Sequence, residues 1–223
     1  MKTSVRSSLL FVAAIVTLCV NTAFAATTWT DWTTAAVGSP GSAAGTLNGI
    51  GVSYSGQVIN SVLNGTSNVW SPDSSFIGGS STTSPSVVGD DIRLNGAFTG
   101  IQTVTFAAPL VNPLFAIWSL GDPTTMASFT FNATPTLQAG GLNSQYGGQP
   151  ITVAGNVVSG MEGNGVVQFM GTFSSISWTN TFENFYAFQV GVNAVPEPES
   201  YAMLLAGLGL LGFTARRRQR NAA

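Results

Sequence analysis

Tyr186-Ala187-Phe188-Gln189-Val190-Gly191-Val192 is the stretch on which the fold turns. Tyr186, Phe188, Val190 and Val192 are large and apolar, while Ala187, Gln189 and Gly191 are small or polar. That period of two places one set on each side of an extended chain. Working outward, Val104 and Phe106, Phe129 and Phe131, and Ile176 and Trp178 show the same alternation. Leu114 to Leu120 is apolar on both sides except at Ser119, the pattern of a strand in the middle of a sheet covered on both faces. Nowhere between Ala26 and Val195 do apolar residues recur at i, i+3, i+4 and i+7 for more than about a turn. The body of the chain is therefore expected to be all-β, a β-sandwich of jelly-roll type.

Turn chemistry separates the strands at Asn64-Gly65, Ser71-Pro72-Asp73, Gly121-Asp122-Pro123, Gly140-Gly141 and Gly147-Gly148. The Gly/Ser/Thr-rich run from Gly78 to Gly89 reads as a mobile surface loop. One internal echo is present. Phe98-x-Gly100 leads to Val104-Thr105-Phe106 and Asn112, and Phe169-x-Gly171 leads to Ile176-Ser177-Trp178 and Asn184. The echo predicts two similar hairpins.

Composition narrows the function. Of 223 residues 44% are hydrophobic and 7% charged, and six of the seven basic residues stand within six positions of the start or eight of the end. From Ala26 to Val195 a single Arg, Arg93, faces seven carboxylates, a formal charge of −6. Such a surface repels a phosphate backbone, so nucleic acid is not an expected partner. The chain has no His and one cysteine, Cys19, which excludes the usual zinc sites and the Ser-His-Asp and Cys-His catalytic arrangements.

Both ends read as addresses. Residues 1–25 begin with Lys2 and Arg6, continue through an apolar run from Leu9 to Val20 and close on Ala23-Phe24-Ala25, the form of a secretory signal peptide cleaved after Ala25 by signal peptidase. Cys19 follows Leu18 and would leave with that peptide. The other end has three parts. Val195-Pro196-Glu197-Pro198-Glu199 is stiff and extended, because each proline lacks an N–H and has a fixed φ. Tyr201 to Ala215 is an apolar run, a helix of about 22 Å against a hydrocarbon core of about 30 Å, read as one short transmembrane helix with snorkelling ends. Arg216-Arg217-Arg218-Gln219-Arg220 would hold its end in the cytoplasm and leave the body outside. The domains expected are thus a signal peptide at 1–25, a β-sandwich at 26–195 and a terminal signal at 196–220.

Pro196-Glu197-Pro198, the helix with Gly207, Gly209 and Gly212, and the terminal Arg216, Arg217 and Arg218 resemble the PEP-CTERM sorting signal of Gram-negative bacteria. The resemblance covers about the last 28 residues. It implies recognition by exosortase, a membrane cysteine transpeptidase that removes the tail, and delivery to the cell surface or extracellular matrix of exopolysaccharide-producing, biofilm-forming bacteria. Asn112 to Gly121 and Gly165 to Phe169 also resemble domains that such proteins carry.

Within the body, function has few candidates. Trp29, Trp32 and Trp70 are weighed as rings for stacking on glycan, against burial; Trp118 and Trp178 sit in apolar alternation and are expected in the core. A glycosidase needs two facing carboxylates. Asp90 and Asp91, as neighbours on a strand, point apart, which leaves Glu162, in a turn, and Glu183. A structural calcium ion at Asp90 and Asp91 is the only cofactor considered, and no repeat supports it. The expectation is an exported protein and no enzyme, structural or adhesive in the envelope or biofilm. Its partners would be exopolysaccharide or further copies of itself, the alternative being a carbohydrate-binding module.

Overall fold

The computed structural model describes residues 26–65, 67–144, 146–194 and 198–221, with side chains in the last stretch at 204–213 and 215–218. The expected signal peptide, 1–25, and Pro196 and Glu197 of the expected sorting motif lie outside the described residues. Among the described residues fifteen strands and two single-turn 3-10 helices, Asp73–Ser75 and Pro85–Val87, precede one α-helix. The strands are β1 (Thr27–Trp29), β2 (Asp31–Ala36), β3 (Gly38–Leu47), β4 (Ile50–Val58), β5 (Asn60–Val62), β6 (Asp91–Leu94), β7 (Gln102–Val111) and β8 (Leu114–Leu120). There follow β9 (Ala127–Phe131), β10 (Pro135–Gly140), β11 (Thr152–Ala154), β12 (Val157–Gly160), β13 (Gly163–Phe169), β14 (Thr172–Asn180), β15 (Tyr186–Asn193) and α1 (Pro198–Asn221). One sheet runs β10-β13-β8-β15-β6-β5, with β1 also on β15; the other runs β11-β12-β9-β14-β7-β4-β3-β2. Every strand pairing is antiparallel.

The period-two residues make the core between the sheets. Phe115 of β8 and Phe188 of β15 stack at 5.3 Å, and Phe115 meets Trp178 of β14 at 5.0 Å and Phe131 of β9 at 5.2 Å. Tyr54 of β4 stacks on Trp178 from within the second sheet. Burying each such ring contributes about 1.5–3 kcal/mol before the entropy of ordering it. The two-sheet sandwich is as expected. Its fifteen strands exceed the eight on which a jelly roll is built, so only the two-sheet part of that expectation is met. The buried apolar clusters both lie within Trp29–Val192, so among the described residues the body carries its own core and draws nothing from α1.

β8, β13 and β15 are buried on both faces. Their outer face is covered by a strap, the segment between β5 and β6, which lays Val69, Trp70 and Phe76 against Leu114, Ala116, Val166 and Ala187. Gly78–Gly89 belongs to this strap, so the mobile-loop expectation is corrected. Ser81, Ser84 and Pro85 are buried in it, and Thr82 and Thr83 are hydrogen-bonded to β1. The strap is pinned by Asp90. Its carboxylate accepts from Trp32 N–H at 2.8 Å and Gly65 N–H at 2.9 Å, and its carbonyl accepts from Trp70 Nε1 and Gln189 Nε2. A hydrophilic composition did not predict this cover, because short polar side chains can be satisfied by strand backbone as well as by water.

The echo is real in space but its geometry is corrected. β7 and β14 pair in one sheet, β8 and β15 in the other, and each unit crosses from the first sheet to the second. They are two interlocked arches rather than hairpins. Asn112, at φ 51, turns the first arch, and its side-chain oxygen accepts from Gly171 N–H at 2.7 Å.

The C-terminal helix exists as expected, and its described side chains, Leu204 to Phe213 and Ala215 to Arg218, are exposed. Among the described residues no helix is long and apolar enough to cross a membrane. The transmembrane reading is corrected to that extent: prolines and glutamates at one end and arginines at the other confine the apolar part to 201–215. Any anchoring by it draws on the flanking side chains to complete the depth.

Candidate functional site

Three loops converge where β8 ends. Antiparallel register sets Leu120 of β8 beside Gly163, the start of β13, and Trp118 beside Ala187, near the start of β15. The β8–β9 turn therefore brings Asp122, the β12–β13 turn Glu162, and the β14–β15 loop Glu183, Asn184 and Phe185 to one place. The long β10–β11 loop adds Tyr146. Together they surround an open cleft of about 490 Å³ with Trp118 and Ser119 in its wall.

The rings form a box. Trp118 is 8% exposed, and it meets Tyr146 at 6.4 Å and 80° and Phe185 at 5.4 Å and 84°. Two rings thus stand perpendicular to a third, with Tyr146 67% exposed at the rim. The guanidinium of Arg93, the sole basic side chain of the body, lies 5.5 Å from the Phe185 centroid and is held by Asp91 at 2.6 Å. The Trp118 indole N–H has no hydrogen-bond partner among the described residues.

The carboxylates differ in state. Ser119 donates through Oγ to Glu162 Oε2 at 2.5 Å while its own N–H is taken by Asn164 Oδ1 at 2.8 Å, which fixes the Glu162 side chain. Burial pushes Glu162 above the usual carboxylate range despite that bond. Glu183 is 5% exposed, and burial raises it to about 7, against the opposing backbone N–H of Phe185 and Asn184; the nearby charges of Glu162 and Asp122 push in the same direction as burial. Asp122 is half-buried and lies below its ordinary value, because Thr124 and Thr125 donate to it.

Backbone conformation marks the same place. The non-glycine residues with left-handed φ are Asn48, Asn112, Ser119, Tyr146 and Glu162 among the described residues. The two asparagines tolerate that region readily. The other three, which tolerate it less, all line the cleft. Strain of this kind is retained where surrounding structure imposes it, and such positions gather at functional sites.

The residues singled out in the sequence fare differently. Trp29, Trp32 and Trp70 are all buried, at 2%, 0% and 1% exposure, so the glycan-stacking reading of these rings is corrected. Trp29 donates to Thr83 O and lies across Gly191, where a Cβ would come within 2.6 Å of its ring; Trp70 is capped by Phe76 at 5.2 Å. Trp29 is covered by the part of the strap that was read as a mobile loop, Trp70 belongs to the strap, and Trp32 lies in the core between the sheets. Asp90 and Asp91 do point apart, the first to Trp32 and Gly65, the second to Arg93 and to Ser67 Oγ at 2.5 Å. Their oxygens are engaged by protein donors, and among the described residues no group of three or more potential ligands is arranged to hold a metal ion. Trp178 is core, whereas Trp118 is both core and cleft wall. Glu162 sits in a turn as read, and it is brought together with Glu183. Tyr146, Phe185 and Asp122 were missed; Asp122 carried a signal, since it stands in the turn that follows the most apolar strand. Arg216, Arg217 and Arg218 are exposed at the end of α1, which Pro198 begins.

Residues 194–218 match the PEP-CTERM protein-sorting motif. No curated protein and no solved structure matches the chain significantly. The motif indicates an exported protein processed by exosortase, anchored transiently at the membrane before cleavage. It starts one residue after β15 ends, and β15 begins one residue after Phe185. The cleft and the sorting signal are therefore at opposite ends of one strand, about 25 Å apart.

Proposed function

We propose that the chain is an adhesive protein of the cell surface or extracellular matrix, whose β-sandwich holds exopolysaccharide in the cleft bounded by Trp118, Tyr146 and Phe185. The observation that carries this reading is the placement of an aromatic, carboxylate-lined cleft at the far end of β15 from the sorting motif. A protein retained through its C-terminal end presents that cleft outward. Exposed rings stack on the apolar faces of sugars, and carboxylate and amide oxygens accept from their hydroxyls, the division of labour common in ligand sites. The partners are exosortase and signal peptidase during maturation, then polysaccharide. The role is binding, without catalysis.

The test is retention of the body, residues 26–194, on immobilised polysaccharides including that shed by the producing cells. Retention that Tyr146→Ala abolishes, with the unfolding transition unchanged, is the expected result. A body that no polysaccharide retains overturns the proposal.

A further inference from the structure

The lining of the cleft says more about the ligand than that it is a sugar. Three carboxylates, Asp122, Glu162 and Glu183, face it and no basic side chain does. The body has one cation to offer, and Arg93, already committed to Asp91, does not line the cleft. An anionic sugar would meet uncompensated negative charge from the cleft and from a body carrying −6. A neutral sugar would add only hydroxyls to the Phe185 and Asn184 N–H groups that already reach the buried Glu183, and would leave the negative charge of the lining unanswered. A ligand bearing a positive charge answers the carboxylates directly and gains from the rings too, since ammonium groups are attracted to aromatic faces within about 6 Å. The perpendicular arrangement of Tyr146 and Phe185 about Trp118 is the geometry of such a cage. Its volume, about 490 Å³, leaves room for the sugar ring that carries the amine.

We infer that the cleft is a subsite for the ammonium group of an amino sugar, a hexosamine unit with its nitrogen unacylated. The inference rests on the polysaccharide-binding reading and specifies it. Glu162, held by Ser119, receives the ammonium, and Glu183, which on its own keeps its proton up to about pH 7, releases it to pair with the same group; Tyr146, exposed at the rim, stacks on the sugar face.

Two probes differing only at nitrogen decide it: a tetramer of β-1,4-linked glucosamine and the same tetramer fully N-acetylated, titrated calorimetrically into residues 26–194 at pH 6.5 and low salt. The free-amine tetramer is expected to bind at least tenfold more tightly. That preference falls in 0.5 M NaCl and is lost in the Glu162→Gln/Glu183→Gln variant. Tyr146→Ala, at an exposed position, lowers affinity for both tetramers and controls for any folding defect in the double variant. Equal binding of the two tetramers overturns the amine assignment and leaves the polysaccharide reading standing. Failure of both tetramers, with the producer's polysaccharide retained in the bead assay, also overturns the assignment alone. Failure of every saccharide removes both. Oligolysine bound as tightly as the glucosamine tetramer overturns the sugar part, since the cage would then serve any amine.

Discussion

Glu183 ties the cleft to the stability of the whole domain. In the unfolded chain its carboxyl titrates near 4.5; in the fold, burial raises it to about 7. The folded state therefore holds this proton more firmly than the unfolded state between those two values. By linkage, stability is highest below pH 4.5 as far as this group is concerned, falls as pH rises toward 7, and is flat above. The full difference corresponds to about 3 kcal/mol, and since the cleft is open to solvent, about 1–3 kcal/mol is the working expectation. Glu162 and Asp90, both raised by burial, add slopes of the same sign at lower pH. Asp122, lowered by its threonine donors, acts oppositely and only in acid. Tyr186, beside Glu183, rises well above its ordinary range and stays neutral throughout. Urea unfolding of residues 26–194 at half-unit steps from pH 4.5 to 8.5 reads the slope directly. Glu183→Gln should remove most of it between pH 5 and 7 and leave the variant more stable than the parent at pH 8. A parent whose stability rises through this window, or a variant that keeps the parent's slope, refutes the account of the buried carboxyl.

Phe115→Ala, which removes the ring shared by Phe188, Trp178 and Phe131, should destabilise by about 3–5 kcal/mol in the same urea assay. Asp90→Ala leaves the buried N–H of Trp32 without its acceptor and frees the Gly65 N–H at the surface, and should cost about 1–3 kcal/mol, with earlier exchange of strap amides by hydrogen exchange. Ending the chain at Ala194 should leave the thermal midpoint of the body unchanged, because its core lies within Trp29–Val192, while abolishing retention by the producing cells, read by fractionation.

Much of this molecule is written locally. Alternation in Tyr186–Val192 and the apolar run of Leu114–Leu120 specify strands, because side-chain direction in an extended chain depends only on position parity, but the burial of β15 on its Ala187 and Gln189 face as well comes from the strap. The sorting motif is likewise a matter of order and composition in one segment, which is why it was legible without any fold. The cover over Trp29 was not, since whether a Ser- and Thr-rich segment lies free or packs depends on donors supplied by β1 and β15, far away in sequence. The cleft was legible only in pieces. Glu162 and Glu183 stood out as the remaining carboxylates, but their meeting with Asp122, Tyr146 and Phe185 follows from antiparallel register that sets three strand ends beside Leu120. Residue identity decides what a side chain can offer; which offers are made together is decided by long-range pairing, and no local pattern encodes that.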